Sequence, residues 1–404
     1  MSAEKSCKSI AFIESNTTGT GAELIYRATS LGSVQVLARN PERYPFLADV
    51  DVTITTADTT DINAILAGLE DIPSVCAVCT TSDPFTAITA QVARMLRLPG
   101  TDPDACARCL DKLCQVERLA NFGLRVPRTL AANEVAALND LSCDMAWILK
   151  PVTGSGSVGV RYLPDLFEVR LALREADRKP TLLLQEFIPG PEYSIELCGN
   201  GRDLTVLGVV AKRVSELPVR VETGHMVPAP IAQGVADELQ ACAVRAARAL
   251  GLEYGFFHVE VILTPKGPVV VEVNPRMAGG GIPFLLSAVT GRDLLTDWLM
   301  LALGEQVLSD CGQVLADAGA IAFRLADRDG RLTSITPPDV KPKSIWRADR
   351  LRKQGEIVVR NGDFRDRVLS AISLASQADT ALALADQYLA NFDLEFVDAA
   401  EPVI

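Results

Sequence analysis

The chain is 404 residues long and 48% apolar, which is too much for one hydrophobic core and predicts two or three packed units. Lys and Arg number 39 against 51 Asp and Glu, a net charge of -12, which argues against general binding to nucleic acid or anionic membranes. No apolar stretch approaches the ~20 residues of a membrane span. The N-terminal segment lacks the pattern of a signal peptide, so we expect a cytoplasmic protein. Its 10 scattered cysteines are expected to be reduced thiols.

The first hundred residues alternate strand and helix patterns. Strands are predicted at 9–14, 33–38, 50–55 and 74–79, with helices at 62–69 and 85–96, and this alternation is typical of a small parallel α/β sheet. Gly19 and Gly21 follow the first strand and suggest a pyrophosphate loop. A third glycine and an acidic residue closing the second strand are missing. We therefore interpret this segment as a tight turn between strand and helix.

A glycine-rich segment follows a long predicted helix. The pattern of residues 104–122 predicts one helix that carries Asp111 and Lys112. An apolar strand then ends at Lys150 and leads into glycines 154, 156 and 159, which fit the pattern G-x-G-x-x-G. A Rossmann loop must open a helix, whereas residues 160–163 are strand-like. The arrangement instead indicates a flap whose backbone N–H groups fold over nucleotide phosphates. An ordinary glycine-serine hairpin loop is the alternative.

The stretch from residue 255 to residue 281 predicts a hairpin that carries two facing carboxylates. Strands 258–263 and 269–274 flank a turn centred on Lys266. Symmetric pairing about Lys266 sets 263 against 269, 262 against 270, 261 against 271, and Glu260 against Glu272. Facing like charges are destabilising, and Asn274 and Arg276 share their face by the two-residue period of a strand. Hard oxygen ligands of this kind suit Mg²⁺.

In this order, the features resemble the ATP-grasp superfamily. The likeness rests on Lys112, on residues 148–151 before the glycine loop, on residues 185–194 and on the carboxylate hairpin, and it covers about residues 1–310. It implies an α/β and α+β multi-domain protein with an ATP-grasp fold, ATP as cofactor, and two Mg²⁺ ions with Mn²⁺ as an alternative. The residues it assigns to ATP are Lys112, Lys150, Gly154, Ser155, Gly156, Ser157, Gly159, Glu186, Phe187, Ile188 and Glu192.

The resemblance also assigns roles at the reacting end of ATP. Glu260, Glu272 and Asn274 would hold the metal ions, while Arg276 and Lys150 would be catalytic. Within the superfamily the likeness is greatest to the L-amino-acid ligases that make dipeptides, because residues 222–230 look like their substrate segment. That likeness implies substrate contacts from Glu222, His225, Arg276, Gly279 and Gly280.

The implied reaction joins a carboxylate to an amine through an acyl phosphate, with release of ADP and phosphate. The implied partners are small molecules, and the chain would act as a monomer or a homodimer. We expect an N-terminal parallel α/β (pre-ATP-grasp) domain at 1–105 and an ATP-grasp domain at 106–308, with a flap-bearing lobe at about 125–190. A β-rich C-terminal subdomain with a closing helix would occupy 309–404. A ligase acting on nucleotide-metabolism or polyamine substrates, and a catalytically silent nucleotide-binding regulatory protein, remain alternatives.

Overall fold

The N-terminal unit is a parallel sheet in the computed structural model, which describes residues 8–17, 19–132, 145–176, 182–305 and 312–398. Its strands are β1 (Ser9–Ile13), β2 (Ser33–Ala38), β3 (Thr53–Thr56) and β4 (Val75–Cys79), and its helices are α1 (Thr20–Ala28), α2 (Ile62–Leu69) and α3 (Thr86–Met95). The strand order is β3-β2-β1-β4, and every pairing is parallel. Because both faces of β1 are buried, its five residues are all apolar or small. The predicted parallel α/β sheet is confirmed.

The next segment forms the small lobe that carries the flap. Its elements are α4 (Pro103–Leu110), α5 (Lys112–Asn121), β5 (Thr129–Ala131), β6 (Trp147–Pro151), β7 (Arg161–Leu163), α6 (Leu166–Ala176) and β8 (Leu182–Glu186). The strand order is β5-β8-β6-β7, and all three pairings are antiparallel. Since β6 and β7 flank residues 152–160, the glycine segment joins two strands as predicted and does not open a helix.

The single helix predicted at 104–122 is wrong, because the chain breaks at Asp111. This residue has an extended backbone, with φ -94° and ψ 104°. Its carboxylate accepts hydrogen bonds from the backbone N–H groups of Leu113 at 2.9 Å and Cys114 at 3.0 Å. Asp111 is thus the N-cap of α5, and an Asp inside a helical pattern is the signal for such a restart. The break leaves Lys112 as the first residue of α5.

A large sheet is built from the middle of the chain. Its elements are β9 (Glu192–Asn200), β10 (Leu204–Val214), β11 (Glu222–Val227), α7 (Gln233–Leu250), β12 (Tyr254–Thr264), β13 (Gly267–Asn274), α8 (Ile282–Thr290) and α9 (Leu294–Ala302). One face is apolar and packs on α7, with Ile195, Phe257 and Val259 in its core. The alternate residues Glu196, His258 and Glu260 lie on the opposite face. Strand periodicity therefore separates the core from a polar surface.

The β12–β13 hairpin confirms the facing carboxylates but corrects the register near the turn. Glu260 lies opposite Glu272, whereas Val261 pairs with Val270 and not with Val271, because the register shifts between Glu260 and Val261. The extra residue is a β-bulge. It explains why Val270 packs against α7 although an unbroken alternation would put it on the face of Glu272.

The C-terminal segment extends the same sheet. Its elements are β14 (Ala318–Leu325), β15 (Gly330–Thr336), β16 (Ile345–Arg350), β17 (Ile357–Val358), β18 (Arg367–Ala375), α10 (Ala378–Ala390) and β19 (Asp393–Val397). The large sheet runs β13-β12-β9-β10-β11-β14-β18-β16, and β17-β15-β19 form a separate small sheet. The segment is rich in strands, and α10 packs over β14 and β18. Across the residues described, no helix has the length and apolar character to span a membrane.

The cap at Asp111 gives a local test of the fold. We expect Asp111→Ala to cost about 1 kcal/mol in α5, which corresponds to about fivefold weaker amide protection at residues 112–121. Hydrogen exchange with mass spectrometry measures that protection. Asp111→Asn keeps a capping oxygen and should retain wild-type protection. Equal protection in the Ala variant would contradict the capping role.

Candidate functional site

A cleft lies between the small lobe and the polar face of the large sheet. It holds about 1260 Å³ of space, measured out to its open mouth. The predicted residues that line it are Lys112, Lys150, Gly154, Ser155, Gly156, Ser157, Glu186, Phe187, Ile188, Glu192, Glu222, Glu260, Glu272, Asn274 and Arg276. Residues up to 164 positions apart in sequence, from Lys112 to Arg276, therefore form the walls of one cavity.

Two lysines approach the cleft from the small-lobe side. Lys150 lies on β6, where alternation turns Trp147 and Leu149 into the lobe's own core and leaves Ile148 and Lys150 in the cleft wall. Burial lowers the pKa of Lys150, although the Glu272 carboxylate opposes that effect. The ammonium of Lys112 donates a 2.6 Å hydrogen bond to the Gly154 carbonyl and lies 3.6 Å from Glu272 Oε1. Both cations thus border the flap.

The opposite end of the cleft is formed by β8 and β9. Glu186 Oε2 accepts a 3.1 Å hydrogen bond from the Arg128 backbone N–H. Phe187 makes an edge contact with Tyr162, with ring centroids 5.0 Å apart. Glu192 is engaged by the guanidinium of Arg220, which also lies 5.8 Å from the Phe187 ring centroid. This end therefore combines aromatic surface, a carboxylate and backbone groups, which is chemistry suited to a purine and its ribose.

The polar face of the large sheet holds a buried network of charges. Lys212 on β10 reaches Glu222 Oε1 at 2.6 Å and Glu260 Oε2 at 3.2 Å, with its side chain 3% exposed. His258 contacts Glu260 Oε1 at 3.0 Å and Glu196 Oε1 at 2.8 Å. Burial alone would lower the pKa of His258, but the Glu196 and Glu260 carboxylates raise it to about 9. The Glu260 carboxylate thus has a cationic partner on each oxygen.

The chemistry of the hairpin oxygens fits a divalent ion. In the ranges described, no three carboxylate, imidazole or thiolate side chains converge where they could hold a metal. The predicted set instead combines the two carboxylates of Glu260 and Glu272 with the amide oxygen of Asn274, and all three line the cleft. Mg²⁺ binds few protein carboxylates and takes further ligands from water and phosphate. A pair of carboxylates with one amide therefore fits the ion.

Arg276 joins the N-terminal unit to the cleft. Its guanidinium contacts Asp83 Oδ2 at 2.7 Å and donates a 2.9 Å hydrogen bond to the Met277 carbonyl. Asp83 is buried and follows β4, at the carboxyl edge of the N-terminal sheet. Burial would lower the pKa of Arg276, but Asp83 raises it, so the side chain stays charged.

The predicted substrate residues divide into two groups. Glu222 and Arg276 line the cleft, whereas His225, Gly279 and Gly280 are not part of its wall. The flap residue Gly159, which was predicted to contact ATP, is not part of the wall either. The His225 ring is 1% exposed, and neither ring nitrogen has a hydrogen-bond partner. Its Nε2 atom lies 3.7 Å from Glu222 Oε2. A Cβ on Gly280 would come within 2.7 Å of that nitrogen, so Gly280 packs directly on the ring.

Sequence reasoning missed four charged residues that complete the site. Asp83 and Lys212 hold Arg276 and Glu260, Arg220 holds Glu192, and Arg367 donates 2.9 and 3.1 Å hydrogen bonds to the Glu222 carbonyl. The sequence does carry one sign of a functional role for Lys212, because it is a charged residue inside the apolar run 204–214. Asp83, Arg220 and Arg367 could be placed only from contacts in the folded structure.

Three comparisons relate this chain to known proteins. Residues 109–280 match the family model described as an ATP-grasp domain. The uncharacterized protein y4rH of Sinorhizobium fredii is 31% identical over 94% of this chain and 82% of its own length. Carnosine synthase 1 of Gallus gallus is 36% identical over 30% of this chain, which spans 13% of that enzyme. The L-amino acid ligase of Bacillus licheniformis superposes with a TM-score of 0.82 at 20% identity, covering 97% of this chain and 99% of that one.

The isolation of His225 predicts an unusual titration. Burial lowers its pKa to about 3, although Glu222 opposes the shift. In the unfolded chain this histidine becomes protonated near pH 6.5. Below that pH the unfolded state therefore binds more protons than the folded state. The contribution of His225 to the free energy of unfolding therefore falls as pH drops from about 6.5 towards 3.

Selective ¹³C labelling of histidine makes this visible by NMR, because the chain has only 2 histidines. The resonance that disappears in His225→Gln should keep its chemical shift between pH 5 and pH 8. A titration midpoint near pH 6.5 for that resonance would contradict the buried, unpaired placement of the ring.

Proposed function

This chain belongs to the ATP-grasp family of ATP-dependent carbon–nitrogen ligases, and on that premise we propose that it joins an amino acid, as carboxylate donor, to an amine through an acyl phosphate. The observation that carries the proposal is the continuity of the cleft. One cavity runs from the flap and the Glu186 end to the carboxylate pair, Arg276 and Glu222. An ATP molecule lying along it would direct its γ-phosphate towards the side of Arg276.

The chemistry supports the same assignment. A carboxylate oxygen attacks the γ-phosphorus, the bond to the β-γ bridging oxygen breaks, and ADP leaves. An amine nitrogen then attacks the acyl carbon, loses a proton, and displaces phosphate to form the amide. The first step brings two anions together, and the cationic groups of Lys112, Lys150 and Arg276 offset that repulsion.

Divalent metal belongs to the same end of the cleft. Glu260, Glu272 and Asn274 would hold it, and when bound it neutralises charge on the transferred phosphoryl group. The flap residues 154–159 are exposed except for the half-buried Ser157, and their backbone N–H groups would cover the phosphates. Covering them excludes water, which otherwise hydrolyses an acyl phosphate.

An amino-acid substrate is supported by Arg276 and the segment of Glu222. The Arg276 guanidinium suits a carboxylate, and Glu222 suits an ammonium group, so both charges of a zwitterion have a partner at one end of the cleft. The names of carnosine synthase and of L-amino acid ligase describe amide-forming enzymes, which agrees with this class of reaction.

The direct assay measures phosphate release for pairs of amino acids, with mass spectrometry of the product. We expect release that depends on both members of at least one pair, and a product with the mass of the two joined by loss of water. Absence of release with every pair would refute the amino-acid assignment.

Glu272 tests the metal end. Glu272→Gln removes a carboxylate without changing its size, so ADP formation should fall by about 10²-fold or more while the fold is retained. Glu117→Gln alters an exposed residue of α5 and should leave turnover unchanged. Undiminished turnover in Glu272→Gln would rule out this ligand assignment.

Asp83 tests the positioning of Arg276. Asp83→Asn loses the ion pair to Arg276 Nη2, and a misplaced guanidinium should lower kcat by about 10²-fold with little change in the KM for ATP. Because the variant leaves a buried charge without its partner, a circular-dichroism melt checks folding. A raised KM for ATP with unchanged kcat would contradict the role.

A further inference from the structure

Lys112 and Phe364, from other parts of the molecule, both contact the flap. At its base, the ammonium of Lys112 donates to the Gly154 carbonyl at 2.6 Å. At its tip, the ring of Phe364 lies directly on Gly156: a Cβ placed there would be 2.7 Å from Phe364 Cδ1 and 3.0 Å from Cε1. Phe364 belongs to the C-terminal segment, more than 200 residues away in sequence. Only glycine permits so close an approach, and Gly156 has φ +70°.

The loop that presents Phe364 is rigid. The Asp366 carboxylate accepts hydrogen bonds from the backbone N–H groups of Asn361 at 2.7 Å and Gly362 at 2.8 Å. The Asp363 carboxylate accepts two 2.9 Å hydrogen bonds from Arg365, one from its backbone and one from its Nε–H. Asp363 and Asp366 are 1% and 4% exposed. Buried aspartates thus fix the backbone on both sides of an exposed aromatic ring.

This loop is also fastened to the sheet that bears the site. The backbone N–H of Ala326, directly after β14, donates a 2.8 Å hydrogen bond to the Asp366 carbonyl. Strand β14 pairs with β11, which begins at Glu222. Gly362 lines the cleft itself. The loop therefore has a fixed position relative to the cleft, whereas the flap residues 153–156 are exposed.

A half-exposed phenylalanine needs a reason to lie at this point. Its ring is 40% exposed, so it contributes less to the core than a buried side chain would. Its contact is with the backbone of the segment assigned to the phosphates of ATP. A mobile glycine segment gains a defined closed position when an apolar ring meets its tip.

We propose that Phe364 is a positioning residue that holds the flap closed over ATP and the acyl phosphate. The proposal rests on the ligase function above, and it gives the C-terminal segment a part in the reaction. With the ring in place, water is kept from the acyl carbon until the amine attacks. Without it, water attacks that carbon, phosphate leaves, and the carboxylate is regenerated, so ATP is consumed without amide formation.

The test compares Phe364→Ala with Phe122→Ala, which removes another exposed ring, 51% exposed at the end of α5. In Phe364→Ala we expect the ratio of ADP to amide to rise above one, and a fluorescent ADP analogue to dissociate about fivefold faster, the order expected for one lost ring contact. Phe364→Leu should restore most of both properties. Phe122→Ala should behave as wild type.

Gly156→Ala alters the same contact from the side of the flap. Its methyl group would meet the Phe364 ring, so it should also raise the ADP-to-amide ratio. The double variant should add little to either single change, because both disrupt one contact. A ratio of one and wild-type release in a folded Phe364→Ala protein would overturn the proposal.

The outcomes separate this proposal from the ligase assignment. If the wild-type protein makes no amide from any amino-acid pair, the assignment of amino-acid substrates fails. The release rate of the ADP analogue then decides the role of Phe364 alone, since that rate needs no turnover. Faster release in Phe364→Ala, and not in Phe122→Ala, supports flap positioning, and equal release contradicts it.

Discussion

Two carboxylates that face each other across one hairpin set the conditions for the rest of this structure. Glu260 and Glu272 are a cross-strand pair, an arrangement that is unfavourable by itself. Lys212 and His258 hold Glu260, and Lys112 lies beside Glu272. Removing one partner of a buried ion pair lowers the free energy of unfolding by about 3–5 kcal/mol. The folded protein therefore keeps these cations beside the carboxylates. The charge of the hairpin thereby fixes the positions of side chains on two other elements, β10 and α5, and of His258 within the hairpin itself.

The need to neutralise these two carboxylates also explains how distant segments meet. Gln115 of α5 bonds both the N–H and the carbonyl of Val273, at 2.8 and 2.9 Å, and so sets Lys112 against the hairpin. Asp83 extends the network to the N-terminal sheet through Arg276. Each unit of the fold thus contributes a charged group to the network around one cleft. The C-terminal segment contributes Arg367, which holds the backbone of Glu222, and the loop beneath the flap.

Local patterns predicted much of this from sequence. The strand period and the turn at Lys266 were enough to set Glu260 against Glu272, and strand-like residues after Gly159 were enough to predict that the glycine segment joins two strands. The bulge beside Val261 and the restart at Asp111 were missed, because periodicity alone does not show an inserted residue or an internal cap. Lys212 was missed for another reason. Its role depends in part on Glu260, which lies on the distant strand β12, and only the strand order of the sheet brings the two side chains together.

The central proposal is that a carboxylate oxygen becomes bonded to the γ-phosphorus before the amide forms. A substrate labelled with ¹⁸O in both carboxylate oxygens tests it most directly, by mass spectrometry of the released phosphate. An acyl phosphate passes its bridging oxygen to phosphate, so each phosphate released with the amide should carry one ¹⁸O atom. Unlabelled phosphate, or ¹⁸O found in AMP, would contradict the account.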